Sequence, residues 1–150
     1  MIDSRDLSLL REPAKERIIS FLAEYKQATG VELLITSTLR DYTCQNMLYA
    51  KGRTISGNIV TNARGGESFH NYGLAMDAYP LVHGKPLWEA TYNSVASGDV
   101  LYPEWESYGK IAKLHELEWG WDWRRFRECP HLQYSGGLSI AQLQAGDFPT

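Results

Sequence analysis

The sequence has few cysteines, no long apolar run and no excess of basic residues. Two cysteines, Cys44 and Cys129, are too few for a disulfide framework, so we expect free thiols. No stretch approaches the ~18 apolar residues of a membrane span, and no secretion signal is recognisable in residues 1–17. With 15 basic and 18 acidic residues, the chain lacks the basic stripe that neutralises nucleic-acid phosphates. We therefore expect neither a membrane span nor a nucleic-acid partner.

Length and composition indicate one compact domain. Of the 150 residues, 43% are hydrophobic and 22% are charged, close to the average of globular proteins. No repeat, low-complexity tract or Pro/Ser-rich linker divides the chain. We therefore expect a single domain over residues 1–150, and we expect it to be a monomer.

Apolar periodicity predicts two longer helices and a small sheet. The helices extend from about Pro13 to Thr29, where Gly30 ends the first, and from about Pro103 to Leu117. Strands are predicted over residues 31–39, 74–79 and 131–134, with a return strand after a turn at 83–86 and short helical segments after residue 40 and over 139–143. Such a mixture indicates an α+β fold, with a small antiparallel sheet and helices packed on one side.

The glycine-rich segment 52–67 has no usable apolar period. It is predicted to be a long loop, and long loops in compact domains often carry function. Neither this loop nor the tail over residues 136–150 points to a specific role.

Two histidines and one aspartate form the sharpest pattern in the chain. His70 and Asp77 lie in the segment SFHNYGLAMD, and His131 ends the segment ECPH. Two imidazoles and one carboxylate are a known ligand set for catalytic zinc, which keeps its fourth tetrahedral position for water. Gly73 allows a bend between His70 and Asp77, and His131 comes from another strand. We predict that these three side chains bind one Zn²⁺ per chain.

Glu128 is the predicted acid/base of this site. The stiff Pro130 fixes the backbone before His131, so the Glu128 carboxylate can stand near the metal without binding it. Zinc makes hydroxide available near neutral pH and polarises a carbonyl oxygen. A carboxylate that deprotonates the water and then protonates the leaving amine contributes about 10²–10⁴-fold in rate. The predicted reaction is hydrolysis of a peptide bond.

The pattern S-x-H-x-x-G-x-A-x-D followed by E-x-P-H resembles a known family over about residues 33–134. This is the zinc-dependent D-alanyl-D-alanine carboxypeptidase and L-alanyl-D-glutamate endopeptidase family, which shares its fold with the hedgehog signalling domain and VanX- and VanY-type dipeptidases and includes many phage endolysins. The resemblance implies a hedgehog/DD-peptidase-like fold. It also implies that His70, Asp77 and His131 are zinc ligands and that Glu128 is the catalytic acid/base.

Three further site residues are implied by the same resemblance. Arg40 matches the arginine of the S-x-x-R segment, Gln45 a downstream glutamine, and Ser68 the serine that precedes the first histidine of the motif. A guanidinium can hold a substrate carboxylate or stabilise an oxyanion, so Arg40 is predicted to act in catalysis and in substrate binding. Gln45 and Ser68 are predicted to bind substrate. Alternatively, these two hydrogen-bond the ligands, and Arg40 pairs with Asp41 or a helix end.

Several other patterns favour structural roles. His83 in a turn and His115 on a helix are placed outside the site, because a lone histidine is more often a packed or surface residue than a ligand. HELEW, which begins at His115, also lacks the second histidine of the H-E-x-x-H motif. The alternating tryptophans of WGWDW favour a core or sheet face over a cleft wall that contacts a peptide or sugar. The basic segment RRFR is typical of a solvated face, where Glu128 can merely form an ion pair.

The predicted function is cleavage of the peptidoglycan stem peptide at the L-alanyl-D-glutamate bond, as in similar phage endolysins. Because no export signal is recognised, the protein is predicted to stay in the cytoplasm until it passes through a separately made membrane pore and acts on the cell wall. One alternative is a D-alanyl-D-alanine carboxypeptidase or dipeptidase of the same family. The other is a non-catalytic zinc-binding module, against which Glu128 counts.

Overall fold

The computed structural model describes residues 1–94, 96 and 98–150. The helices are α1 (Ala14–Thr29), α2 (Tyr42–Ala50), α3 (Pro103–Leu114) and α4 (Ile140–Gln144). The strands are β1 (Leu33–Ser37), β2 (Ala75–Val82), β3 (Lys85–Pro86), β4 (Thr91–Ser94), β5 (Gly98–Leu101), β6 (Glu118–Trp119) and β7 (His131–Gln133). Among the described residues, none of the helices combines the length and the apolar character needed to span a bilayer.

Strand β2 lies at the centre of a five-stranded antiparallel sheet. It pairs with β1 on one side and with β7 on the other, β6 continues beyond β7, and β3 pairs with the far end of β2. Strands β4 and β5 form a separate hairpin. The predicted α+β fold with a small antiparallel sheet is therefore confirmed.

Helices α1 and α3 pack together over the core face of the sheet. The buried positions of α1 form one stripe, Ala14, Ile18, Phe21 and Tyr25. Tyr108 of α3 meets this stripe, with its ring centroid 5.1 Å from that of Phe21 and 5.9 Å from that of Tyr25. Met76 and Ala78 of β2 belong to the same core cluster. Since side chains alternate along a strand, Asp77 between them faces the opposite side of the sheet.

The first residues of the chain run alongside the end of β1. The Thr38 amide donates to the Ser4 carbonyl over 2.6 Å, and the Asp41 amide donates to the Ile2 carbonyl over 2.9 Å. Asp3 consequently lies opposite Arg40 in an isolated antiparallel bridge. This pairing brings a carboxylate from the start of the chain to a predicted site residue.

Two local features differ from the sequence prediction. Helix α3 ends at Leu114 rather than Leu117, because His115 caps it and Glu116 adopts a left-handed φ of 61°. The β4–β5 hairpin was not predicted, since neither of its strands alternates buried and exposed positions.

Candidate metal centre

His70 is held in place by a short 3₁₀ turn, Phe69–Tyr72. Ser68 caps this turn by accepting from the His70 amide, and Gly73 ends it with a left-handed φ of 70°. The His70 ring is 2% exposed, and its Nδ1 lies 2.7 Å from the Thr38 carbonyl oxygen. Because a carbonyl only accepts, Nδ1 carries the proton and Nε2 keeps its lone pair.

His131 is oriented by a side chain, and its hydrogen-bonded ring nitrogen is Nε2 rather than Nδ1. Its Nε2 lies 2.8 Å from Oε1 of Gln133, on the same face of β7. The amide nitrogen of Gln133 donates to Glu118 over 3.2 Å, which directs the amide oxygen towards His131. Nε2 of His131 therefore donates, and Nδ1 keeps its lone pair.

Asp77 brings these two lone pairs together. Its Oδ1 lies 3.2 Å from Nε2 of His70 and 3.3 Å from Nδ1 of His131, and one ligand atom from each residue falls within a 4.8 Å cluster. Oδ1 of Asp77 and Nε2 of His70 are buried and lack a hydrogen-bond partner in the described part of the chain.

Nε2 of His70, Oδ1 of Asp77 and Nδ1 of His131 are three acceptor atoms that face one another, and a cation between them would give each lone pair a partner. Ligand atoms ~2 Å from one zinc ion at tetrahedral angles lie about 3.3 Å apart, and the two distances from Asp77 are 3.2 and 3.3 Å. The residues present thus fit a divalent metal. The orienting bonds to both imidazoles are those that metal-binding histidines normally make.

The charges of the cluster are strongly coupled. Burial opposes ionisation of Asp77, but the neighbouring His70 and His131 outweigh it and hold the pKa of Asp77 well below its usual range. For His131, burial also opposes the charged form, yet the hydrogen bond and charge of Asp77 raise the pKa of the imidazole. Protonation of His131 therefore competes with binding of a cation between the three side chains.

Glu128 lies at the edge of the cluster. Its Oε2 is 3.9 Å from Nδ1 of His131. The carboxylate also borders the surface cleft in which His70, Asp77 and His131 lie. Burial raises the pKa of Glu128, and the negative charge of Asp77 raises it further. A carboxyl with a raised pKa beside a metal cluster is suited to proton transfer.

Arg40 is fixed by four neighbours, of which Asp3 was not indicated by the sequence pattern. Its Nη1 donates to Gln45 over 3.0 Å, and its Nη2 donates to Ser37 over 3.1 Å. Nε lies 3.5 Å from Asp3, and Nη2 lies 3.9 Å from Asp77. The predicted alternatives, pairing with Asp41 or a helix end, are not among these contacts. The guanidinium is positioned beside the metal cluster and borders the cleft.

Gln45 and Ser68 also border the cleft, but their contacts hold other groups. Gln45 is 1% exposed and links Arg40 to the Ala63 carbonyl, to which it donates over 2.9 Å. Ser68 accepts from the backbone of His70. Their substrate-binding roles stay predictions, and their observed contacts are those of supports.

The cluster lies in a cleft of about 480 Å³. One side is formed by residues of the 53–67 segment, which we call the cleft wall. Arg53 holds this wall by donating to the carbonyl of Thr61 and to the side chain of Asn62, each over 3.0 Å. Its guanidinium also stacks on the ring of Tyr49, with Cζ 3.8 Å from the centroid. The predicted long loop is thus part of the site.

Two of the three alternating tryptophans, Trp119 and Trp123, lie in different surroundings. Trp119 is 7% exposed and belongs to the core, as predicted. Trp123 instead borders the cleft, with its ring centroid 4.8 Å from that of His131. A core or sheet-face role is therefore wrong for Trp123. His83 and His115 lie outside the metal cluster.

The sequence reasoning missed the groups that orient the ligands. Gln133 follows His131 at the two-residue spacing of one strand face, and this spacing was a usable signal. The Thr38 carbonyl belongs to the backbone and leaves no signature in the residue type. Asp3 reaches Arg40 through long-range strand pairing, which no local pattern reveals.

The cluster fits a divalent metal, and comparison with known proteins shows similarity to a peptidase family. Residues 61–134 match the family model described as D-alanyl-D-alanine carboxypeptidase. This range is just under half of the chain, which is similar to this peptidase family over these residues. The matched range includes His70, Asp77, Glu128 and His131, whereas Arg40 lies outside it.

One curated relative is also a peptidase. The chain is 45% identical over 105 residues to the peptidoglycan L-alanyl-D-glutamate endopeptidase CwlK of Bacillus subtilis, covering 69% of this chain and 61% of that protein. It therefore spans less than two thirds of that relative.

Two solved structures share the fold. The Serratia marcescens L-Ala D-Glu endopeptidase ChiX superposes with a TM-score of 0.59 at 18% identity, covering 89% of this chain and 88% of that one. The LD-carboxypeptidase LdcB superposes with a TM-score of 0.64 at 23% identity, covering 93% and 65%.

Proposed function

We propose that this chain is a zinc-dependent peptidase that hydrolyses the L-alanyl-D-glutamate bond of the peptidoglycan stem peptide. The observation that carries the proposal is the convergence of three lone pairs, from His70, Asp77 and His131, beside a carboxylate and a guanidinium in one cleft. The choice of bond rests on the 45% identity to an endopeptidase named for that cleavage.

His70, Asp77 and His131 would hold the metal. Two imidazoles and one carboxylate suit zinc, and a three-residue protein ligand set is typical of catalytic rather than structural zinc. When bound, zinc supplies Lewis acidity, which polarises the substrate carbonyl and makes water a stronger acid. Asp77, whose pKa is held low, stays ionised as a ligand throughout the physiological pH range.

Glu128 moves the proton. Its carboxylate takes a proton from the attacking water and delivers it to the amine released when the peptide C–N bond breaks. Because the pKa of Glu128 is raised, the group is closer to the pH at which it must both accept and release that proton.

Arg40 supplies fixed positive charge. Held by Gln45, Ser37 and Asp3, its guanidinium needs no reorganisation when a substrate carboxylate or a developing oxyanion arrives. Such preorganised charge stabilises the transition state more than the ground state.

Digestion of purified sacculi, followed by mass spectrometry of the products, tests this function. We expect fragments with a new amino-terminal D-glutamate, one zinc per chain by elemental analysis, and loss of activity on chelation with recovery on added zinc. An intact L-alanyl-D-glutamate bond after prolonged digestion would contradict the proposal.

A D-alanyl-D-alanine carboxypeptidase is the second candidate. It is favoured by the description of the matching family model, and the same residues could serve either bond. Release of free D-alanine without new amino-terminal D-glutamate would establish this alternative. A non-catalytic zinc module would bind zinc and release neither product.

The biological setting stays a prediction. We propose that the protein is a monomeric phage endolysin, which is released from the cytoplasm through a separate pore to reach the cell wall. Sedimentation tests the monomer. Expression with and without a pore-forming membrane protein tests the release, since lysis should require both proteins.

A further inference from the structure

An aromatic groove adjoins the metal cluster along strand β2. Tyr79 lies two positions after Asp77 and therefore on the same face of the strand, about 7 Å further along. The residues that line the groove include Tyr79, Trp88, Trp105, Trp121, Arg127 and the segment 128–130, which leads directly into His131. Glu128 borders both this groove and the catalytic cleft.

Trp88 is an exposed side chain on a fixed backbone. Its surface is 63% exposed, and its ring centroid lies 4.6 Å from that of Tyr79. The backbone on either side is held in place: the Leu87 amide donates to Pro80 over 2.9 Å, and the indole of Trp105 donates to the Glu89 carbonyl over 2.8 Å. An exposed indole in a fixed position is prepared to bind a ligand at little entropic cost.

The groove has the chemistry of a sugar site. A pyranose ring has apolar C–H faces and a polar rim, so it suits an aromatic wall bordered by charged groups. Here the guanidinium of Arg127 lies over the ring of Trp121, with Cζ 3.8 Å from the centroid, and Glu128 is among the lining residues. The groove measures about 220 Å³, below the ~300–1,000 Å³ of pockets for drug-sized ligands. This size fits a single ring rather than a lipid chain.

The position of the groove matches the chemistry of the proposed substrate. In peptidoglycan the stem peptide is joined through its first L-alanine to the lactyl ether of muramic acid. The sugar therefore begins about two residue lengths, ~7 Å, from the L-alanyl-D-glutamate bond. That is also the separation of Tyr79 from Asp77 along β2. A D-alanyl-D-alanine bond lies several residues further from the sugar.

We infer that the groove between Trp88 and Trp121 binds the muramic acid ring of the glycan strand while the stem peptide occupies the metal-containing cleft. The inference rests on the proposed function and extends it, since it makes the sugar part of the recognised substrate.

Two substrates that differ only in the sugar test this inference. One is a stem tetrapeptide with an acetylated amino terminus, and the other is the same peptide on its disaccharide. For the unmodified protein we expect a higher kcat/KM on the disaccharide-peptide. Trp88→Ala should lower that value roughly three- to tenfold, the size of one aromatic stacking contact. On the acetylated peptide, kcat/KM should stay within about twofold.

Two matched variants control for a general effect. Trp88→Tyr keeps an aromatic face and should recover most of the disaccharide preference. Tyr92→Ala removes another exposed aromatic, 41% exposed, which borders a separate depression and stacks on Tyr102. Tyr92→Ala should leave kcat/KM unchanged on both substrates. Calorimetric binding of the disaccharide-peptide to Glu128→Gln, with and without Trp88→Ala, should give the same ratio without turnover.

The possible failures are distinguishable. If the unmodified protein cleaves both substrates equally well, or if Trp88→Ala lowers both to the same extent, the sugar site is refuted and the proposed peptidase stands. If only D-alanine is released, the bond assignment and the sugar site are both wrong. If neither substrate is cleaved, the proposed function itself fails.

Discussion

The metal cluster and the cleft wall are built by different means. At the cluster, each ligand is buried or half-buried, and each imidazole is oriented by a group on the sheet or at its edge, Thr38 for His70 and Gln133 for His131. The wall is irregular and more exposed, with Ile59 48% exposed, and side chains hold its backbone, Arg53 at Thr61 and Gln45 at Ala63.

This difference separates what must be rigid from what can vary. Metal ligands need positions accurate to a few tenths of an ångström, which strands and buried hydrogen bonds provide. A wall held by side chains can change shape with few substitutions. We therefore expect changes at the cluster to affect the reaction itself, and changes at the wall to affect which substrate fits.

The largest effect is expected for His70→Ala. Removal of one of three ligands should reduce bound zinc to well below one equivalent and lower kcat/KM by at least ~10³-fold. Elemental analysis and muropeptide digestion measure the two effects. His83→Ala, in an exposed turn, is the matched control and should keep metal and activity. Full zinc binding by His70→Ala would remove His70 from the ligand set.

Glu128→Gln should separate metal binding from chemistry. The amide keeps the shape but cannot accept the proton, so kcat should fall about 10²–10⁴-fold with zinc content unchanged. Glu116→Gln, an exposed carboxylate paired with Arg17, is the control. Unchanged kcat in Glu128→Gln would show that another group takes the proton.

Gln133→Met tests the orientation of His131. Loss of the acceptor for Nε2 should weaken zinc affinity about 10- to 100-fold, as is usual for partners of metal-binding histidines. Competition with a fluorescent chelator measures the affinity. Gln142→Met, on the exposed cap of α4, should leave it unchanged. Equal affinities in the two variants would mean that the sheet alone orients His131.

Zinc affinity should also fall with decreasing pH. His131 binds metal only when it is unprotonated, and its pKa is raised above that of an ordinary histidine. Protonation therefore begins nearer neutral pH, and below that pKa the affinity should fall about tenfold per pH unit. The same chelator competition between pH 8 and about pH 5 tests this. A constant affinity over this range would contradict the assignment of His131 as a metal ligand.

The smallest effect is expected at the wall. Arg53→Met removes the bonds to Thr61 and Asn62 and should raise KM about two- to fivefold, with kcat and zinc content unchanged. Arg5→Met, at an exposed position outside the wall, is the control and should change neither KM nor kcat. A large fall in kcat for Arg53→Met would show that the wall also positions catalytic groups.

How far the sequence predicts this molecule depends on the range of the interactions. The helices α1 and α3 follow from the spacing of apolar residues, and the metal cluster follows from a compact motif. The β4–β5 hairpin lacks alternation, so local patterning could not reveal it. The pairing of Arg40 with Asp3 could not be predicted either, because Asp3 meets it only after the chain start has paired with residues 38–41.

Thr38 and Arg40 lie two residues apart in the short segment that follows β1. The carbonyl of Thr38 sets the tautomer of His70, and the side chain of Arg40 provides the nearby positive charge. A displacement of this segment would move the Thr38 carbonyl and the Arg40 side chain together. The orientation of the His70 imidazole and the position of the guanidinium are therefore linked. A substitution that displaces the backbone at Arg40 is therefore expected to change the zinc affinity as well as the proposed substrate contacts.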